Sequence, residues 1–319
     1  MSAAYAAAIL PLVVAGAFSI VTGLNDGGTL LSAGLKVRGL HFPVAVGVLA
    51  IALVVVPIIV GTYVASMFSE RMVSFTGSGA SGVHAAVTIA IVVALATTSW
   101  LASRGKPTSL TLATVGALVG AGLGLGLPVS GRTVVTVLLA GIAAPLAGGL
   151  VGNAMVRILG RISLTGSLRR VHRLAFTGQC IAYAAGDGQK MYAIFALTGG
   201  ATGSTAIHPW MIPVASVLFV VGAVGGLAGT GRALNSALAP VRPVHAVSAE
   251  LGSAGAVSGC AALGFPVSMT QAVAGGIVGS GLDRARWPAV LRLAGAWIVT
   301  LPVSLLAAGI GVLTMRTML

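Results

Sequence analysis

The chain has 319 residues, of which 57% are hydrophobic and only 7% charged, and its mean hydropathy is +1.04. A soluble domain carries roughly a quarter charged residues, so this composition excludes a water-facing globule and points to a polytopic membrane protein. The net charge of +13 is spread over short basic segments between apolar spans, the pattern of cytoplasmic loops rather than of a nucleic-acid face, so a lipid bilayer and not nucleic acid is the expected partner.

The N-terminal MSAAYAAAILPLVVAGAFSIV has no basic residue ahead of its apolar run and is expected to be a retained first span, not a cleaved signal. Apolar windows follow near 3–23, 44–66, 83–102, 110–127, 133–156, 174–186, 191–205, 209–229, 243–263, 266–282 and 288–313. A helix needs about 20 residues to cross hydrocarbon. The windows at 110–127, 174–186, 191–205 and 266–282 are short, the sign of re-entrant or broken helices. Between the halves lies the densest basic stretch, Arg157, Arg161, Arg169, Arg170, His172 and Arg173, placed in the cytoplasm by the excess of positive charge. Cys180 and Cys260 lie in apolar surroundings without metal-ligand spacing.

The two halves repeat. KPTSLTLATVGALVGAGL from Lys106 matches FPVSMTQAVAGGIVGSGL from Phe265, pairing Pro107 with Pro266, Ser109 with Ser268 and Thr111 with Thr270 at an offset of 159. GLNDGG matches AAGDGQ, pairing Asp26 with Asp187 at an offset of 161. Compositional likeness of Gly- and Ala-rich helices does not explain a matched aspartate at nearly the same offset. The expected fold is therefore an all-α polytopic membrane protein of two inverted-topology repeats, with about ten membrane segments including re-entrant or broken helices. Its divisions are 1–156 as the first transmembrane repeat, 157–173 as a basic cytoplasmic linker and 174–319 as the second repeat.

Only five residues are acidic. Glu70 and Asp283 each precede an arginine and read as loop pairs, whereas Asp26, Asp187 and Glu250 lie in apolar stretches, where a charge costs several kcal/mol unless it meets a partner, water or an ion. Either a buried pair, such as Asp187 with Lys190 one turn on, or a cation or proton site satisfies that demand. Glycines beside both aspartates would let the helices break and expose backbone donors and acceptors. Ser109, Thr111, Ser268 and Thr270 can cap helix starts, and the same hydroxyls can donate to an oxyanion. Arg132 reads as an interfacial anchor. No nucleotide-binding motif is present, and no enzymatic chemistry or bound cofactor is indicated.

These motifs resemble those of the inorganic phosphate transporter family (PiT type, Na⁺- or H⁺-coupled symporters), of which the chain is identified as a divergent bacterial member. The family's duplicated G-A-N-D-x-x-N-A element is GLNDGGT and AAGDGQK here, and its P-x-S-x-T-H element is PTSLTL and PVSMTQ. RRVHRLAFTG, VHAVSAELGSAGAV and the Gln189-Lys190 pair extend the likeness over nearly the whole chain. Thr29, Gly186, Leu112 and Gln271 depart from the family's Asn and His. The resemblance implies a multi-pass carrier of the plasma (inner) membrane that imports inorganic phosphate with Na⁺ or H⁺. It implies a substrate site of Asn25, Ser109, Thr111, Gln189, Lys190, Ser268 and Thr270, with Asp26, Asp187 and Glu250 coupling the cation and any Na⁺ at Asp26 and Asp187. A carrier of another oxyanion such as sulfate, a transport-inactive sensor or partner subunit, and a homo-oligomer all stay open.

Overall fold

In the computed structural model, residues 3–75, 80–104, 109–161, 168–199, 207–227, 238–239 and 242–318 are described. Lys106 and Pro107 of the first Pro-Ser-Thr element, 162–167 of the basic linker and the end of the 191–205 window lie outside the described residues. Every regular element among the described residues is helical, beside one isolated bridge between Val73 and Val129. In chain order they are α1 (Ala3–Thr22), a π-helical turn (Gly23–Gly27), α2 (Gly28–Gly34), α3 (Phe42–Val60), α4 (Tyr63–Ser66), a second π-helical turn (Met67–Arg71), α5 (Ala80–Ser103), α6 (Leu110–Leu125) and α7 (Gly131–Gly160). The second half contributes α8 (Leu168–Ala185), α9 (Gln189–Gly199), α10 (Met211–Gly226), α11 (Pro243–Ala262), α12 (Met269–Ser280), a 3₁₀ turn (Leu282–Arg284) and α13 (Trp287–Met318).

Among the described residues, five helical stretches are long and apolar enough to cross a membrane: Ile9–Gly34, Phe42–Val60, Gly82–Ser103, Gly131–Gly160 and Trp287–Met318. Their outward faces carry large exposed apolar side chains, among them Ile51, Ile58, Leu139, Leu150, Ile298 and Ile310, while Asp26, Asp187, Lys190 and Glu250 are buried. Apolar outside with charge inside is what a hydrocarbon solvent requires. The helices α6 and α12 are different. At 1.5 Å per residue their 16 and 12 residues span about 24 and about 18 Å, too little to cross about 30 Å of hydrocarbon. Nearly every residue of both is buried, so protein rather than lipid surrounds them.

The packing is reciprocal between the halves. In each, the short helix lies against its own predecessor (α6 on α5, α12 on α11) and against the long last helix of the other half (α6 on α13, α12 on α7). Likewise the π-helical turn after α1 packs on α10, and α8 packs on α3. These crossings are close because glycines line them. A methyl on Gly276 would meet the Ala249 carbonyl oxygen at 2.8 Å, one on Gly152 the Gly276 oxygen at 2.9 Å, and one on Gly252 the Gly152 nitrogen at 2.9 Å, so α7, α11 and α12 touch backbone to backbone.

The ends of the basic linker at 157–173 are helical where they are described, since α7 continues to Gly160 and α8 starts at Leu168. The reason is amphipathy: His172, Ala175, Phe176, Gln179 and Tyr183 recur at helical spacing and are buried, while Arg169, Arg170 and Arg173 stay exposed on the opposite face. One expectation is corrected: the helix does not break at Asp26. It continues through the π turn with right-handed backbone at Thr22, Gly27 and Gly28. Gly23, Gly27 and Gly28 serve the approach of α10 instead: a methyl on Gly28 would fall 2.8 Å from the Gly226 backbone, and one on Gly27 would fall 2.9 Å from the Phe219 ring.

Candidate functional site

The π turn holds one extra residue in its circumference, which turns the Asp26 side chain inward at the middle of a continuous helix. Asp26 is 1% exposed. In the second half the chain does break. Gly186 N–H is shared between the Ala182 and Tyr183 carbonyls at 3.0 and 3.2 Å, Gly188 N–H reaches back to Tyr183 at 2.8 Å, and α9 restarts at Gln189. Asp187 sits in that break, fully buried.

The two aspartates, 161 positions apart, are joined by one lysine. Lys190 Nζ donates to Asp26 Oδ2 at 2.6 Å, to Asp187 Oδ1 at 2.8 Å and to Thr111 Oγ1 at 2.9 Å, which uses all three of its hydrogens. The Thr111 hydroxyl, one residue into α6, donates in turn to Asp187 Oδ1 at 2.6 Å. Asp187 Oδ2 accepts the backbone N–H of Met269, the first residue of α12, at 2.8 Å. The N-termini of both short helices therefore converge on one carboxylate, where their orphan N–H groups and dipoles favour negative charge. Asp26 is held by side chains alone: Asn25 Nδ2 at 3.0 Å, Lys190, and the Tyr183 hydroxyl at 3.4 Å. Two carboxylates and one ammonium leave the ionised cluster with one uncompensated negative charge in a sealed interior, and a burial of that kind is tolerated only with a further positive partner.

The remaining expected residues divide. Ser109 caps α6 by accepting Leu112 N–H at 3.2 Å, and Ser268 and Thr270 at the start of α12 bond to each other at 2.7 Å. Gln189 has its amide filled by backbone in this arrangement: its oxygen accepts Val64 and Ala65 N–H at 3.0 and 3.1 Å, and its nitrogen donates to the Gly61 and Ala185 carbonyls at 2.9 and 3.0 Å. It clamps α4 to the broken helix. Glu250 does not bond to the lysine cluster. Its Oε2 meets His172 Nδ1 at 2.9 Å, and His172 Nε2 meets the Gly34 carbonyl at 2.8 Å. His172 and Tyr183 touch these buried acids although neither was among the expected site residues. Both lie on the buried face of α8 at helical spacing with Gln179, and that periodicity was the signal available.

The comparisons with known proteins agree with this geometry. Residues 168–308 match the model of the phosphate transporter family. A probable low-affinity inorganic phosphate transporter of Mycobacterium tuberculosis (strain ATCC 25618 / H37Rv) is 28% identical over 315 residues, covering 93% of this chain and 74% of that protein. A protein of the same description from Mycobacterium leprae is 28% identical over 96% of this chain and 77% of its own length, and one from Bacillus subtilis is 24% identical over 93% of each. Among solved structures, a sodium-dependent phosphate transporter superposes with a TM-score of 0.82 over 98% of this chain and 100% of that one, at 13% identity, which is a likeness of fold. The chain is thus similar to phosphate transporters along nearly its full length, matches that family's model across α8–α13, and brings its duplicated aspartate and hydroxyl elements together at one site.

Proposed function

We propose that this protein carries inorganic phosphate inward across the plasma membrane, driven by a monovalent cation, Na⁺ or H⁺. The observation that carries the reading is the Asp26–Lys190–Asp187 cluster, buried and capped by the N-termini of α6 and α12, one from each half. Helix N-termini with hydroxyls beside them suit a tetrahedral oxyanion. In the closed arrangement the Asp187 carboxylate takes the donors that such an anion needs, Met269 N–H and the Thr111 hydroxyl. Phosphate competes for these donors, and for Ser268 and Thr270, which can turn from each other toward it. The uncompensated negative charge of the ionised cluster calls for a further positive charge, and Lys190 is the internal cation that keeps the two carboxylates together between transport events. The reciprocal packing of the halves supports two inverted repeats rocking about this site, with α6 and α12 as re-entrant halves. No covalent step is needed. The relatives named above are described as phosphate transporters, which supports this substrate over sulfate.

The test is uptake of radiolabelled phosphate in cells lacking their own phosphate carriers, with and without excess sulfate. Accumulation that sulfate does not compete away is the expected result. Accumulation of sulfate in place of phosphate would overturn the substrate, and no accumulation of either, with the protein inserted in the membrane, would overturn the carrier reading.

A further inference from the structure

Away from the lysine cluster, a second ionisable pair is buried where three helices meet. His172 is fully buried on α8 and Glu250 is 1% exposed on α11. The hydrogen-bond inventory fixes where hydrogens sit. A carbonyl oxygen only accepts, so His172 Nε2 must carry a hydrogen to bond Gly34 O at 2.8 Å. The other contact, His172 Nδ1 to Glu250 Oε2 at 2.9 Å, then requires a second proton. A neutral ring would oppose its Nδ1 lone pair to a carboxylate lone pair. Written as imidazolium and carboxylate, or as imidazole and carboxylic acid, the pair holds one exchangeable proton and is neutral overall.

That proton has a way out. Glu250 Oε1 and Gln179 Oε1 are buried acceptors without a hydrogen-bond partner among the described residues. Glu250 and Gln179 line the same small cavity, with Ala33, Ala249, Ile277 and the exposed Lys36, and it has room for about one water. The ionisable groups facing the pair are Lys36 across the cavity and the buried Cys180 thiol on α8. The arginines of α8 point away, exposed, and α2, α3 and α12 carry no ionisable side chain.

We propose that His172 and Glu250 form a proton-binding site separate from the aspartate cluster, and that its proton is the coupling ion of the carrier. The second clause rests on the transport reading above; the first does not. The position explains the coupling. Gly34 ends the helix that carries Asp26, and His172 begins the helix that leads to Asp187, so the imidazole staples the two aspartate-bearing segments to each other and to α11. Loss of the proton sets imidazole against carboxylate and opens one leg of that staple, and gain of the proton closes it. The repeat offset places Ile89 opposite Glu250, so the device belongs to one half only.

Two measurements test it. In proteoliposomes with an entrapped pH dye, wild type should bring protons in with phosphate and accumulate phosphate on an inward proton gradient with choline replacing sodium. In His172→Gln the proton influx should disappear and accumulation should fall to the level seen without a gradient. Proton influx with phosphate that His172→Gln leaves at the wild-type level overturns the proposal, as does wild-type accumulation that needs sodium and ignores the proton gradient. The second measurement needs no transport and no folded variant at position 172. Nitrogen-15 NMR of the five labelled histidines in nanodiscs should give one Nδ1 that is protonated or strongly hydrogen-bonded at neutral pH, changing as the pH is raised and perturbed by Glu250→Gln. Five ordinary, freely titrating or unbonded Nδ1 signals overturn the site. If wild type moves no phosphate at all but this NMR signature is present, the transport reading and the coupling role fall while the proton site stands.

Discussion

The segments around Asp26 and Asp187 solve one problem in two ways. Asp26 lies in a helix that widens by a π turn and runs on; Asp187 lies where the helix stops and starts again. The reason is the neighbour. Around Asp26, the helix is held straight by α10, whose Phe219, Ala223 and Gly226 leave no room for a methyl on Gly23, Gly27 or Gly28. Around Asp187, backbone bonds from Gly186 and Gly188 gather on Tyr183 and end α8. The consequence is an asymmetry of ligation. Asp187 is bound to both short helices, by the Met269 backbone N–H of one and the Thr111 hydroxyl of the other, whereas Asp26 is held only by the side chains of Asn25, Tyr183 and Lys190. One aspartate is anchored in part by a helix N-terminus and the other rests on side chains alone.

The strongest way to break this comparison is to remove what joins its two sides. Lys190→Met should leave two buried carboxylates facing each other without a cation. Removing one partner of a buried ion pair costs about 3–5 kcal/mol, and uptake should vanish. Thermal unfolding in detergent beside uptake in cells checks this; a variant melting with wild type would mean that Lys190 does not hold the halves together. Adding Asp26→Asn to Lys190→Met should recover part of the lost stability without recovering transport, because it removes one of the two unpaired charges.

Next in size is the difference between the aspartates themselves. Both Asp26→Asn and Asp187→Asn should abolish cation-driven uptake. Only Asp187→Asn should also lower stability clearly, by about 1–3 kcal/mol, the usual cost of leaving buried groups poorly partnered, since its amide can satisfy the Thr111 and Met269 donors with only one oxygen. Melting curves of the two purified variants, measured side by side, decide the point. Equal losses, or a larger loss for Asp26→Asn, would remove the distinction between a helix-anchored aspartate and one held by side chains alone.

Much of this was legible in the chain itself, for reasons that also mark the limit. Matched aspartates and Ser-x-Thr elements at offsets of 161 and 159 announce a duplicated site, and Lys190 one turn past Asp187 announces its counter-charge. What the glycines do was not legible. GLNDGG and AAGDGQ read alike, and only the packing partner tells a glycine that admits α10 from one that ends a helix. Gln189 beside Lys190 looked like a ligand, yet its amide is spent on Val64, Ala65, Gly61 and Ala185, contacts more than a hundred residues away except the last. His172 was hidden in a run of arginines whose charge suggested a loop, although its spacing to Gln179 and Tyr183 put it on a buried face.

The glycine account can be sharpened with a pair of substitutions. Gly28→Ala places a methyl 2.8 Å from the Gly226 backbone, which cannot give way as a side chain would, so it should cost about 1–3 kcal/mol of stability and weaken uptake. Gly178→Ala on α8 meets nothing within 4 Å and should gain a few tenths to about 1 kcal/mol from helix propensity. Opposite signs in unfolding experiments are expected. If Gly28→Ala is tolerated as well as Gly178→Ala, the approach of α10 is looser than drawn, and the glycines beside Asp26 regain the role of letting the helix open.

The smallest effect expected is at Glu70, and it calibrates the others. Glu70 shares its charge with Asp26 and Asp187 and its setting with Asp26, since it too lies in a π-helical turn. It differs in exposure: its side chain faces outward beside Arg71, while both aspartates are sealed. If burial and the Lys190 bridge make an acid functional here, then Glu70→Gln should change stability by no more than about 0.5 kcal/mol, as for surface substitutions generally, and leave the rate and cation dependence of uptake at the wild-type level. If π-helical geometry were what matters, Glu70→Gln should resemble Asp26→Asn. Uptake measured for both variants in one cell background separates the two: loss of transport at Glu70 would shift the explanation from charge burial at the repeat interface to the π turns themselves.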